Sequence, residues 1–79
     1  MERLKEKADA IISIEGTEYA LYKSGPMHKY PYIVDLSTGE IPYNMQRTLL
    51  SGFLTQKSVD TDGKTTHWCI RKAIEIALN

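Results

Sequence analysis

The spacing of apolar residues divides this chain into three zones, and the change near residue 44 constrains the fold most. From residue 10 to that point, apolar side chains tend to alternate with polar ones between turns containing Gly or Pro, which is the pattern of half-buried strands. After it they recur three and four residues apart, the period of helices packed by one face.

In the strand zone, residues 10 to 43, Ile12 and Ile14 alternate with polar or less buried positions, and Gly16-Thr17 supplies a tight turn. Tyr19 to Lys23 reads as a second strand, closed by Ser24-Gly25-Pro26. Tyr30 to Leu36 reads as a third, with Tyr30, Tyr32, Val34 and Leu36 on one face. Ser37-Thr38-Gly39-Glu40 then turns the chain into Ile41-Pro42-Tyr43, a short fourth strand in one version of the meander. Pro31 and Pro42 lack an amide donor and belong at strand ends or edges.

From residue 44 to 79 the pattern predicts two helices. Asn44 is the expected N-cap of the first, whose face is Met45, Leu49, Leu50, Phe53 and Leu54. Gly52 is unfavourable inside that helix by about 1 kcal/mol relative to Ala, so it is expected to mark close packing. Asp60-Thr61-Asp62-Gly63 is a loop, and Thr65 or Thr66 caps a last helix with the stripe Ile70, Ala73, Ile74, Ala77 and Leu78. The rival arrangement is a hairpin pairing Phe53 to Val59 with Lys64 to Ile70 around Asp-Gly. At the other end, residues 2 to 9 carry charges at helical offsets and predict a short N-terminal helix.

These elements define one α+β domain over residues 1–79. It is expected to be a small two-layer sandwich in which a three-stranded antiparallel meander packs against two C-terminal helices. The helices are expected on the face made by Ile12, Ile14, Val34 and Leu36, with Tyr32 contributing. At 79 residues the chain is near the lower limit for folding alone, so self-association as a homodimer, through a strand edge or the last helix, is an expectation too.

Ten basic and ten acidic side chains leave no net charge. That balance argues against a protein that grips nucleic acid mainly through phosphates, because each neutralised phosphate needs a cation. The one cysteine, Cys69, cannot form an internal disulfide or a thiolate zinc site, which favours a reducing, cytoplasmic location. The apolar run Ala10 to Ile14 is too short for a signal peptide or a membrane span.

Three motifs fall short of chemistry. Gly63-Lys64-Thr65 ends like a phosphate-binding loop, but Ser58 stands where the first glycine belongs. Asp60-Thr61-Asp62-Gly63 resembles the start of a calcium loop, yet Cys69 occupies the position of the bidentate Glu. His67 and Cys69 lie two apart on a helix and point to different sides, so they cannot act as a nucleophile and base pair. No cofactor, metal or catalytic residue is assigned.

Five tyrosines all fall in the strand zone. Tyr22, Lys23, His28, Lys29 and Tyr30 cluster around one loop end, combining aromatic contact area with a cationic rim. Trp68 and Arg71 form a second candidate patch on the last helix. The expected function is therefore a non-catalytic module that binds and regulates or inhibits a larger protein partner. Phage and mobile-element accessory proteins are one class of such small chains. One alternative is nucleic-acid binding, since residues 44–79 carry five basic and three acidic side chains. Another is a small enzyme using Cys69 or His67.

Overall fold

The computed structural model describes residues 8–24 and 29–79. The expected N-terminal helix falls largely on residues 1–7 and so lies outside the described residues. The order of elements is β1 (Ala10–Ile14), β2 (Thr17–Tyr22), β3 (Tyr32–Asp35), α1 (Gln46–Gln56) and α2 (Thr66–Leu78). The strands form one antiparallel sheet in the order β1-β2-β3. The α+β sandwich follows from the sequence as expected, and the rival hairpin over residues 53–70 is replaced by α1 and α2.

The β1–β2 turn is Glu15-Gly16, one residue earlier than expected, because Thr17 already pairs with Ile14. Both turn residues have positive φ, at 50° and 84°, as a two-residue turn of type I′ requires. Glycine meets that demand without strain, and Glu15 meets it at some cost.

After β3, the Asp35 carboxylate accepts the Ser37 N–H at 2.8 Å and its hydroxyl at 2.6 Å. The hydroxyl bond is the main reason the carboxyl stays below its usual range. Gly39, at φ 77°, closes the turn by donating to the Asp35 carbonyl at 2.7 Å. The expected fourth strand is reduced to a single bridge between Asp35 and Glu40.

The sheet is packed on both faces. Ala10, Ile12, Tyr19, Leu21 and Ile33 meet Leu50 and Leu54 of α1 and Cys69, Ile70, Ala73 and Ile74 of α2 in the main core. On the opposite face Ala20, Tyr22 and Val34 are buried, with Ile11, Tyr32, Leu36 and Ile41 packed against them. This corrects the expected register. Ile33, not Val34 and Leu36, is the β3 side chain under the helices, because alternation sends neighbours to opposite faces. The Tyr22 and Tyr32 rings stack on the second face with centroids 4.7 Å apart. Burial is the chief reason the phenols of Tyr19, Tyr22 and Tyr32 ionise less readily than a free tyrosine.

Helix α1 starts after Met45, which makes no side-chain cap, so the expected Asn44 cap is not used. Gly52 is exposed, and an added Cβ would meet nothing within 4 Å, so it marks no close packing. The C-terminus of α1 turns through Ser58 at φ 63°, with Val59 N–H donating to the Leu54 carbonyl and Ser58 N–H to that of Thr55. That is a Schellman arrangement with Ser where Gly is usual. The Thr65 hydroxyl caps α2 by accepting the Trp68 N–H at 3.0 Å, as expected. Helix α2 touches all three strands, but its last turn runs past the sheet: Ala77 and Leu78, placed in the core by spacing, are exposed.

Candidate interaction surface

The β2–β3 connection and the outer face of α2 come together in the tertiary fold. Tyr30, 60% exposed, lays its ring on the His67 imidazole with centroids 4.8 Å apart and planes within 5°. Arg71 lies one turn further along that side of α2. There it lines an open groove of about 440 Å³ together with Lys23, Ile74, Glu75, Leu78 and Asn79.

Sequence and packing explain how each part is held. Lys23 directly follows β2, and its N–H donates to the Asp9 carboxylate at 2.7 Å, fixing the backbone where the strand leaves the sheet. Pro31, buried just before β3, limits the conformations open to Tyr30. Ile74 faces the core with nearly all its surface, and Leu78, 62% exposed, extends the apolar wall beyond the sheet.

The groove is electrostatically lopsided. Glu75, the acid among its described lining residues, is paired with Lys72 at 3.0 Å. Among the described residues, neither the Lys23 ammonium nor the Arg71 guanidinium forms an ion pair, although the Lys23 main chain holds the Asp9 carboxylate close by. Two cations therefore stand over an apolar wall, with the exposed Tyr30 stacked on the half-buried His67 one helical turn away. Arginine and tyrosine in such a setting are the side chains that most often anchor protein contacts.

The residues singled out from sequence separate into three groups. Lys23 and Arg71 share the groove, and Tyr30 with Lys29 lies exposed at the near end. Tyr22 is 5% exposed and serves packing on the second sheet face. Trp68 is half-buried, packed against the main core with the Lys64 ammonium 4.9 Å from its ring centroid. His28 lies outside the described residues. His67 and Leu78 were not expected at this surface. The signal available was their spacing, since residues 67, 71, 74 and 78 follow one helical face.

Elsewhere, Cys69 is buried, and burial pushes its thiol up although the nearby Arg47 charge acts the other way. The α1–α2 loop is clasped by Arg47, which donates to the carbonyls of Thr61 at 2.7 Å and Lys64 at 2.9 Å. The hydroxyls of Ser51 and Thr61 bond at 2.8 Å beside it. The acidic loop is thus organised by hydrogen bonds of its own. No helix among the described residues is long and apolar enough to cross a membrane. Comparison of the chain with protein-family models, curated proteins and solved structures found no match in any of the three.

Proposed function

We propose that this protein acts by binding another protein through the surface formed by Tyr30, His67, Arg71, Lys23 and the groove wall of Ile74 and Leu78. The observation that carries this reading is the convergence of two distant sequence segments, by the Tyr30–His67 stack and the groove shared by Lys23 and Arg71. The partner segment it fits carries a carboxylate beside an apolar side chain. The carboxylate meets Arg71 and Lys23, and the apolar group lies on Leu78, where the wall rises from the buried Ile74. Binding of that kind regulates or inhibits by occupying the partner's surface and needs no reacting group.

The stacked ring and the cations also resemble a platform for single-stranded nucleic acid, where bases stack on aromatics. The apolar wall and the presence of Glu75 in the groove favour protein. A tagged pull-down from host lysate, with and without nuclease, decides between them. The expected result is one protein captured despite nuclease and lost when Arg71→Glu and Lys23→Glu are combined. Nuclease-sensitive capture would transfer the surface to nucleic acid, and capture indifferent to the charge reversal would remove the groove from the account.

A further inference from the structure

The two edges of the sheet are not equivalent. On the β3 edge, Ile33 N–H donates to the Gln46 side chain at 3.2 Å, and Asp35 N–H donates to the Glu40 carbonyl at 2.9 Å. Those outward donors are satisfied within the chain. Since Ile33 and Asp35 point outward, alternation directs the main-chain groups of Tyr32 and Val34 to β2. Their partners Tyr22 and Ala20 face β3, so Leu21, Tyr19 and Thr17 face β1. Leu21 duly accepts the Asp9 N–H at 2.9 Å. Ala10, Ile12 and Ile14, opposite them, face inward, which leaves Ile11 and Ser13 pointing their N–H and C=O groups away from the sheet. Among the described residues nothing bonds to those outward groups.

Strand β1 also lacks the usual guards of an edge. Its sequence, Ala-Ile-Ile-Ser-Ile, has no charge and no proline and is rich in residues that favour pairing. We infer that β1 is a self-association edge, where a second copy of this chain adds its own β1 antiparallel across a two-fold axis through Ile12.

In that register the Ile11 N–H meets the Ser13 carbonyl of the second copy and the Ser13 N–H meets its Ile11 carbonyl, each made twice by symmetry. No outward group of Ile11 or Ser13 is left over. The two-fold contact uses the β1 edge of both copies, and among the described residues the outward donors of the β3 edge are already satisfied, so the assembly ends at a dimer with a continuous sheet rather than extending into a fibre. The contact is small, and the dimer is accordingly concentration-dependent. It is independent of the α2 groove.

The test is light scattering across the micromolar to millimolar range, with amide exchange followed residue by residue on the full chain. The expected result is a mass that doubles with concentration while the Ile11 and Ser13 amides become protected. Ala10, Ile12 and Ile14 are protected throughout. Ser13→Pro removes an outward donor without touching the internal ladder and is expected to weaken dimerisation roughly 30-fold, since half of the bonds are lost. Ser13→Lys, which keeps the amide but charges the edge, is expected to act in the same direction and serves if the proline variant does not fold. A monomer at all concentrations overturns the inference, as does a dimer whose Ile11 and Ser13 amides still exchange freely.

Discussion

Arg47→Ala tests how the helical layer is held together. The guanidinium spans two carbonyls of the α1–α2 loop, Thr61 at 2.7 Å in a partly buried setting and Lys64 at 2.9 Å near the surface. A hydrogen bond from a charged donor is worth about 1.5–3 kcal/mol, at the low end here because the Thr61 carbonyl keeps the Lys64 N–H at 3.0 Å as a second donor, and an exposed one contributes about 0.5 kcal/mol. The Thr61 side chain, bonded to Ser51, loses alignment with the loop but keeps its own partner. The expected cost is therefore about 2 kcal/mol. For 79 residues, total stability is of the order of 4–12 kcal/mol, so this is a large share. The midpoint of thermal unfolding is expected to fall by roughly 8–16 °C. Urea unfolding followed through the single Trp68 measures it, with the denaturant slope unchanged. Arg47→Lys is expected to recover less than half of the loss, because an ammonium cannot bridge two carbonyls with the same planar fork. A cost below about 0.5 kcal/mol for Arg47→Ala would show that the loop is held by Ser51–Thr61 and packing alone.

Three further outcomes follow from named contacts. Gly52→Ala is expected to stabilise the protein by about 0.5–1 kcal/mol, since the added methyl meets nothing and helix propensity improves; destabilisation in a urea titration would contradict the open surface there. Cys69 is expected to resist alkylation near neutral pH in the native state and to react on unfolding, because burial raises its thiol; rapid native modification would revive a nucleophilic role. The phenols of Tyr19, Tyr22 and Tyr32 ionise above their ordinary value when folded, so their contribution to stability is fully present below about pH 10 and is lost as pH rises through the raised values. Phenolate absorbance and loss of circular dichroism should therefore rise together in alkali, and full tyrosine ionisation with the fold intact would contradict the burial.

Helix α2 was legible from sequence because two local signals agree: a threonine that caps, and an apolar stripe at helical spacing. The β1–β2 hairpin was legible too, displaced by one residue because Glu15, rather than glycine alone, accepts positive φ. Strand β3 was misread because its alternation is real but carries no label for the face. Tyr32, Val34 and Leu36 outnumber Ile33, and a sheet packed on both sides accommodates the larger set away from the helices.

At the candidate surface, Lys23, Tyr30 and Arg71 could be chosen as solvent-seeking or anchor-type residues, whereas their meeting could not. It depends on Tyr30 lying against α2, a long-range contact that leaves no trace in spacing. By residue type and position His67 reads as a catalytic side chain beside Cys69, and Leu78 as core. The Arg47 clasp was missed for the same reason, since its acceptors are backbone carbonyls and any sequence supplies those.

On the proposed reading, partners are met along α2 and around Tyr30 rather than at Tyr43 and Met45, the other large exposed apolar side chains among the described residues. The most direct measurement is amide and side-chain chemical-shift mapping of labelled protein titrated with the partner that the pull-down captures. Changes are expected to concentrate on Lys23, Tyr30, His67, Arg71, Ile74 and Leu78, with the His67 ring signals moving as the stack is covered. Changes centred on Tyr43 and Met45, or spread evenly with none along α2, would contradict it.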